Sequence, residues 1–442
     1  MILNPEYNQV CSKSWLNQFS STVYIGGIFI GSSCCGFLSD RFGRKVVLGI
    51  GTLLHMGFGI GGAYAPNTAL FLIFRFFQSI GSNFTFIAGF VLGQIEIYTA
   101  LCLTVMELIG PIYRESAGIL YQFFFSIGFM ILPGIAYFIR QVERLQLTLS
   151  LSILPSFLLL LILPESPRWL FSKGRFEESK KLLEKVARIN NKTLPDLDLK
   201  AIYENERADN PEKANEKSVT LSDMLKSRQV ALELFICSIA WFTNSLVYYG
   251  LSLNTGTLSG SIFLNTFLSG IVEIPAHIIC IFGLKYYGRV PTFSGAFLFA
   301  GVTSIANVFA IAFNAPQALQ TTLSMMGKAS ITVSFDVAYV LSAELFPTPI
   351  RALSLGICSS VSRISGMASP YVGGSLQKVQ KYLPALIFGV FGFASFALTV
   401  LLPETSGKPM PDTLEEAEAI GRVGCRFCRK KTGSVEPEKN NS

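Results

Sequence analysis

The chain has 442 residues, of which half are hydrophobic and only 15% are charged, with a mean hydropathy of +0.46 and a formal net charge of +7. A soluble domain this apolar would have to expose much of its hydrophobic surface, so the composition favours a membrane protein. The cations lie in short loops between apolar runs and form no basic face with stacking aromatics, so we expect no nucleic-acid partner.

Apolar runs long enough to cross a bilayer, about 20 residues each, recur from residue 19 onwards. They predict eleven membrane-spanning helices, near 19–38, 46–64, 70–92, 117–139, 146–163, 230–251, 260–284, 291–313, 318–341, 353–374 and 383–402. The polar stretch between the fifth and sixth spans includes a predicted amphipathic helix over Arg175–Ile189. The predicted domains are a residual extracellular segment at 1–18, an N-terminal helical bundle at 19–163, a cytoplasmic linker at 164–229, a C-terminal helical bundle at 230–402 and a cytoplasmic tail at 403–442.

Lys and Arg are concentrated in alternate loops. Basic residues occur at 41–45, at Arg114, through the 164–229 stretch, at 285–289, at Arg351 and in the tail, whereas the loops at 65–69, 252–259 and 314–317 have none. By the positive-inside rule the basic side is cytoplasmic, which places the amino terminus outside and the carboxyl terminus inside. The loop with Arg140 and Arg144 is an exception to this pattern.

Three short patterns occur once in each half of the chain, at nearly equal offsets. Gly43-Arg44 recurs as Gly288-Arg289, 163–166 recurs as 402–405, and 107–114 recurs as 344–351. This repetition predicts two bundles of one topology. We expect ion pairs among the repeated charges to form and break as the bundles rock, although the same residues could serve only as positive-inside anchors. The predicted gating residues are Asp40, Arg41, Gly43, Arg44, Glu107, Arg114, Glu165, Arg168, Glu344, Arg351 and Glu404.

Several of these motifs resemble those of a known family. The segment from Gly36 to Lys45 resembles the loop between the second and third helices of the major facilitator superfamily, and 75–81 resembles its fourth-helix motif. The segment 164–170 is similar to the end of the sixth helix in sugar porters and in solute carrier family 22. The segments 241–253, 272–275, 343–347 and 362–366 resemble the organic cation/carnitine branch of that family. The resemblance implies an all-α membrane fold.

The chain differs from the pattern of this family in two places. Its members have twelve helices and a large extracellular loop after the first helix, whereas this chain resembles them only from the end of that loop. We therefore expect the first helix to be missing. About eleven residues, 93–103, look inserted, and Glu96 within them would be costly in lipid.

The function implied is transport, by alternating access, of organic cations or carnitine-like zwitterions, with Na⁺ as a candidate coupling ion. The alternatives are an organic anion carrier of the same family, and a truncated, non-transporting protein that regulates a full-length relative. We expect no metal site and no enzyme activity, because neither of the two histidines, His55 and His277, is expected to have a nucleophile or an acid around it. The resemblance implies the plasma membrane.

Ionisable residues inside spans are candidate functional residues, because each costs about 2.5–3.5 kcal/mol at the bilayer centre unless it faces a cavity or a partner. Arg363 lies mid-span and predicts recognition of a substrate carboxylate; snorkelling or a carbonyl partner is the alternative. Asp336 is predicted either to balance Arg363 or to receive an ammonium group. For Glu273, which precedes Pro275, we expect a structural hydrogen bond, and for Lys328 a snorkelling side chain.

Aromatic side chains could face a trimethylammonium group through cation–π contact. Trp241, Tyr248 and Tyr249 are the candidates, and packing is the alternative for each. From the resemblance, Thr85 stands where the family has its sodium-binding Asn, with Asn83 two positions before it. The resemblance also associates Glu344 with sodium coupling, and we expect an indirect effect because it lies at the cytoplasmic end of its helix.

Overall fold

The computed structural model describes residues 15–92, 114–155, 157, 160, 164–189, 198–208, 227–253, 260–408, 411 and 416–418. Regular structure in this part of the chain is helical, and no strand occurs in it. The helices are α1 Trp15–Phe42, α2 Arg44–Ala63, α3 Thr68–Leu92, α4 Arg114–Phe138, α5 Val142–Leu151, α6 Pro167–Ser172, α7 Phe176–Ile189, α8 Leu199–Ala208, α9 Arg228–Leu253, α10 Ile262–Ile271, α11 Glu273–Tyr286, α12 Arg289–Ala312, α13 Gln317–Leu345, α14 Thr348–Pro370, followed by a π-helical turn at Tyr371–Ser375, α15 Leu376–Val379 and α16 Leu383–Thr399.

Each of the eleven predicted spans overlaps one of these helices or a consecutive pair. Five segments of the described chain are long and apolar enough to cross a membrane: Trp15–Phe42, Arg44–Ala63, Arg228–Leu253, Ile262–Tyr286 and Arg289–Ala312. Shorter apolar helices occur at Phe125–Phe138 and Leu383–Thr399. The predicted amphipathic helix is α7.

The span predicted at 260–284 is divided in two, since α10 ends at Ile271 and α11 begins at Glu273. Pro275 lies in the first turn of α11 and has no N–H to donate to the Ile271 carbonyl, so the helix cannot continue regularly through this point. The interruption places the Glu273 side chain, 1% exposed, at a helix start in the middle of the bundle.

The repeated charges of the first half meet around the start of α2. Glu165 accepts hydrogen bonds from the backbone N–H groups of Arg44 and Lys45, with Oε1 at 3.0 and 3.1 Å. A carboxylate at this position satisfies N–H groups that have no partner inside the helix, and it complements the positive end of the helix dipole. Asp40 and Arg44 add a loose, exposed ion pair at 3.9 Å.

The second half repeats this arrangement at the start of α12. Glu404 accepts from the backbone N–H groups of Arg289 and Val290 at 2.9 and 3.2 Å. The Arg289 guanidinium also binds Glu344, with Nη2 to Oε1 at 3.0 Å and Nε to Oε2 at 3.1 Å. The repeat read from the sequence therefore corresponds to two equivalent contacts in the fold.

The other predicted gating residues make fewer contacts or lie outside the described residues. Arg41 stacks over Phe42, and Arg351 donates from Nε to the Phe346 carbonyl at 3.1 Å. Glu107 and the predicted insertion at 93–103 lie outside the described residues, as do the side chains of Arg114 and Arg168.

The two bundles touch in the half of the molecule away from the basic loops. The Thr22 hydroxyl on α1 donates to the Met367 carbonyl on α14 at 2.8 Å. On the other flank, Tyr137 of α4 packs edge-on against Phe263 of α10, with ring centroids 5.6 Å apart. Gly270 lies close enough to Met130 that a Cβ added there would come 2.6 Å from its Cγ. These contacts hold the bundles together at the end opposite the basic loops.

The glycines that precede α2 and α12 should be intolerant of a side chain. Gly43 and Gly288 have φ of +98° and +93°, and an added Cβ would come 2.4 Å from Glu165 and 2.9 Å from Glu404. We expect Gly43→Ala and Gly288→Ala each to destabilise the fold by about 1–3 kcal/mol, because this backbone region is almost restricted to glycine. The midpoint of thermal unfolding in detergent measures the effect.

Gly295→Ala is the matched control for this prediction. It lies within α12, and no heavy atom lies within 4 Å of an added Cβ. Its midpoint should equal or exceed that of the unmodified chain, since Ala is the better helix former. Equal midpoints for all three variants would contradict a structural role for the two loop glycines.

Candidate functional site

Four ionisable side chains come together in the C-terminal bundle, well inside the apolar layer. Glu273 and His277 lie one turn apart on α11, and Lys328 and Asp336 share one face of α13. Their side chains are between 1% and 4% exposed. Buried charges of this kind are tolerated only when they are paired and hydrogen-bonded, so their partners define the site.

Glu273 is the most connected member. Its Oε1 lies 2.8 Å from Lys328 Nζ and accepts from the Tyr248 hydroxyl at 2.8 Å. Its Oε2 accepts from the Ser126 hydroxyl on α4 at 2.7 Å. Glu273 thus makes hydrogen bonds, as expected, but it also makes a buried ion pair that was not expected.

The snorkelling predicted for Lys328 is wrong. Its side chain is buried, and Nζ binds Glu273 and Ser269. The ammonium also lies over the rings of Phe129 and Tyr248, 4.4 and 5.2 Å from their centroids. Helix α13 begins eleven residues before Lys328, too far for the side chain to reach the helix end, and a carboxylate is available beside it instead.

His277 lies between two oxygen groups. Its Nδ1 is 2.6 Å from Asp336 Oδ2, and its Nε2 is 3.2 Å from Ser126 Oγ. The expectation that His277 has neither an acid nor a hydroxyl around it is wrong, because α11 and α13 bring together residues 59 positions apart. Asp336 pairs with His277 and makes no ion pair with Arg363 within the described residues.

This contact does not make Ser126 a nucleophile. Its hydroxyl proton is directed to the Glu273 carboxylate at 2.7 Å, which is closer than the imidazole. An activated serine instead gives its proton to the histidine, and it faces a site where a reacting carbonyl can lie. The arrangement is a charge-pairing network between the bundles.

The predicted aromatic residues differ in their surroundings. The Tyr248 ring already faces a cation of the protein, Lys328. Trp241 is 2% exposed, donates from its indole N–H to Ser342 at 3.0 Å and packs edge-on against Tyr339. Tyr249 is half-buried and packs edge-on against Tyr248. Contact of these rings with a solute stays a prediction. Trp241 and Tyr248 already bind polar or charged groups of the protein itself.

Tyr339 is a ring that the sequence analysis missed. It is 43% exposed although it packs against Trp241 and Phe335, and it interacts electrostatically with Arg363 and Tyr249. Part of its ring is therefore exposed within a cluster of buried and half-buried groups. The sequence could have indicated Tyr339 by its position one helical turn after Asp336, which places the two side chains on the same face of α13.

Arg363 lies half-buried on α14, three residues before Gly366. Its Nε is buried and bonds to no atom of the part of the chain that the structure describes. Gly366 itself packs closely against Ser245 and Tyr249 of α9 and Ile25 of α1. Arg363 therefore lies near the seam between the bundles, beside Tyr339. Its Nε–H group is able to donate a hydrogen bond to a further acceptor.

The residues predicted for ion coupling lie in the N-terminal bundle. Asn83 is buried against Gly31 of α1, and its Oδ1 has no hydrogen-bond partner among the described residues. The Thr85 hydroxyl donates to the Gly81 carbonyl of its own helix at 2.9 Å. The two side chains are not joined by a hydrogen bond in the described structure, and their role stays a prediction.

Comparison with protein families gives one match over most of the chain. A family model described as "Sugar (and other) transporter" matches residues 3–418. Solute carrier family 22 member 2 of Oryctolagus cuniculus is 35% identical over 418 residues, covering 94% of this chain and 72% of that protein. The organic cation transporter protein of Drosophila melanogaster is 34% identical over 424 residues, covering 94% and 74%.

Solved structures agree with the fold. A structure of the proton:xylose symporter XylE with 6-bromo-6-deoxy-D-glucose bound has a TM-score of 0.68 at 21% identity, covering 93% of this chain and 91% of that one. The inward-open form of XylE from E. coli gives 0.67 at 20% identity, with the same coverage. At such low identity these likenesses establish the major facilitator architecture alone.

The Glu273–Lys328 pair should show strong energetic coupling. Glu273→Gln or Lys328→Met alone leaves one buried charge without its partner, and we expect each to destabilise the chain by about 3–5 kcal/mol. The double variant removes both charges, so its loss should be clearly smaller than the sum of the single losses. Thermal unfolding midpoints of the four proteins in one detergent measure the coupling, and strictly additive losses would contradict a direct ion pair.

Proposed function

This chain belongs to the sugar (and other) transporter family of the major facilitator superfamily, and within it to solute carrier family 22; from that membership we propose that it carries small organic ions across the membrane by alternating access. It is a multi-pass membrane protein, and we expect it in the plasma membrane. Two bundles of repeated topology with a polar seam between them are the architecture that this mechanism requires.

Arg363 carries the proposal about substrate class. Its guanidinium keeps a charge at any physiological pH, and it lies half-buried near the seam between the bundles. Its buried Nε makes no hydrogen bond within the described residues. A carboxylate on the solute would supply the missing acceptor and neutralise the charge in one contact.

The two acids of the site are already bound by other side chains of the protein. Glu273 pairs with Lys328, and Asp336 bonds to His277. A solute with only a positive charge would find no unpaired carboxylate among these acids, whereas a zwitterion could place its carboxylate at Arg363 and leave both pairs intact. Charge pairing therefore supports carnitine-like zwitterions within the organic cation class that the relatives' names describe.

The aromatic rings near Arg363 would suit the positively charged end of a carnitine-like zwitterion. Tyr339 has an exposed face, and Tyr249 is half-buried beside it. A quaternary ammonium group gains roughly 0.5–2 kcal/mol over a ring of this kind, more as water is excluded. We propose that these two rings, rather than Tyr248 or Trp241, receive the positive group.

An organic anion is the second candidate, because Arg363 by itself would bind any carboxylate. Unlike a carnitine-like zwitterion, an organic anion has no positive group that could contact the aromatic rings. Sodium coupling through Asn83 and Thr85 also stays a proposal, and replacing Na⁺ by K⁺ in the transport medium tests it.

Removing the charge of Arg363 should strongly reduce transport of carboxylates. We expect Arg363→Gln to lower kcat/KM for labelled carnitine by about 10–100-fold, the loss of one charge-assisted contact of roughly 1.5–3 kcal/mol. Arg363→Lys should recover only part of the activity, since an ammonium lacks the planar fork. Equal uptake by Arg363→Gln at equal surface amount would overturn the carboxylate assignment.

Parallel uptake of two probes tests the solute class. Cells that express this chain are given labelled carnitine or tetraethylammonium, in Na⁺ or K⁺ medium, and surface amount is measured alongside. We expect carnitine uptake above that of cells lacking the chain, because only carnitine has a group for Arg363. Uptake of tetraethylammonium alone would contradict the zwitterion proposal, and absence of uptake at normal surface amount would favour a non-transporting, regulatory protein.

A further inference from the structure

A hydrogen-bonded chain of five side chains crosses from one bundle to the other. In order, its members are Lys328, Glu273, Ser126, His277 and Asp336. Ser126 belongs to α4 of the N-terminal bundle, and the other four belong to α11 and α13 of the C-terminal bundle. The Ser126 hydroxyl therefore links the bundles, and the state of its neighbours affects that link.

The positions of the protons follow from the donors and acceptors available. Ser126 has one hydroxyl proton, and its closest acceptor is Glu273 Oε2 at 2.7 Å; the Gln122 carbonyl is farther, at 3.2 Å. The Ser126 oxygen is then left to accept from His277 Nε2. On the other side of the ring, the Asp336 carboxylate can only accept from Nδ1, 2.6 Å away. Both ring nitrogens are donors only in the imidazolium form.

The balance of buried charge favours the same form. Glu273 and Asp336 bring two negative charges, and Lys328 brings one positive charge. A protonated His277 makes the group neutral, whereas a neutral imidazole leaves one negative charge in surroundings where an unbalanced charge is costly. The 2.6 Å contact with Asp336 is also as short as charge-assisted hydrogen bonds are.

Among the described residues, the surrounding helices place no further charge in contact with this group. The titratable groups nearest to this chain of side chains are Tyr248 and Tyr249 on α9, Cys280 on α11 and Tyr339 on α13. The charged residues of the same helices lie toward the basic end of the molecule, and they are Arg228 and Glu233 on α9, Lys285 on α11, Arg289 on α12, Glu344 on α13, and Arg114 and Glu115 at the start of α4. Tyr248 donates to Glu273 as a neutral phenol. Arg289 is held by Glu344 at the basic end of the molecule, and the first residue of α4 lies three turns from Ser126.

We propose that the His277–Asp336 pair is a proton-binding site, and that its proton holds the bundles together at the end opposite the basic loops. Loss of the proton leaves Nε2 and Glu273 as two acceptors for the single Ser126 proton, so the link between α4 and α11 weakens. By linkage, parting of the bundles at this level releases a proton to the side that opens.

If the chain is the carrier proposed above, on which this step depends, binding and release of the proton are coupled to transport of the solute. The proton is bound while the bundles are closed opposite the basic loops, and it is released to the outside as that end opens. An organic solute then binds and is carried inward, so one proton leaves for each solute that enters. The coupling ion in this scheme is H⁺, and the reaction is exchange.

The proton site can be tested without any transport measurement. The chain has only two histidines, His55 and His277. In protein labelled with ¹⁵N-histidine and placed in lipid nanodiscs, the signals missing from His277→Asn identify His277. We expect both of its nitrogens to be protonated at pH 7, and the imidazolium signal to be lost in Asp336→Asn with His55 unchanged. A His277 ring with one protonated nitrogen at pH 7 would overturn the proposal.

Proteoliposomes test the coupling. With the inside more acid by one pH unit, the membrane potential clamped at zero and no Na⁺ present, labelled carnitine should accumulate about tenfold for one-to-one exchange. Tetraethylammonium, which has no group for Arg363, should not. His277→Gln should remove this dependence on the gradient, and His55→Gln should retain it. Gradient-independent uptake would overturn the coupling, whereas no movement of either solute under any gradient would count against the carrier function and leave the NMR result to decide the proton site.

Discussion

Charges inside the apolar layer need partners, and much of the C-terminal bundle is arranged to provide them. Lipid offers neither water nor counter-ions, so an isolated ammonium or carboxylate there is costly. Lys328 meets this constraint by binding Glu273, and Asp336 by binding His277. The interruption between α10 and α11 belongs to the same solution, since it places Glu273 beside Lys328.

The basic end of the molecule meets a different constraint. The backbone N–H groups that begin α2 and α12 have no partner within their helices, and a carboxylate from the end of the same half accepts from each set. Glu165 and Glu404 make these contacts, and a glycine with positive φ precedes each helix. The sequence repeat therefore corresponds to the same carboxylate contact at the start of one helix in each half.

The proposed solute site lies near the seam between the bundles. Near this seam, the buried Nε of Arg363 has no hydrogen-bond partner among the described residues, and Tyr339 is partly exposed. Ser126 reaches across the seam to the paired charges. The proposed solute site and the paired charges are connected through Tyr339, which interacts electrostatically with both Arg363 and Asp336.

The sequence by itself determined the all-helical membrane fold, the spans, the two-fold repeat and the candidate charges, because hydropathy, Lys and Arg bias and repeated motifs are local properties of the chain. Family membership was equally readable. Only the tertiary structure decided which charge meets which: it paired Asp336 with His277 rather than Arg363, and it kept Lys328 from snorkelling. Such pairings depend on how helices distant in sequence are packed, and helical spacing within one element carries no information about the face that a neighbouring helix presents.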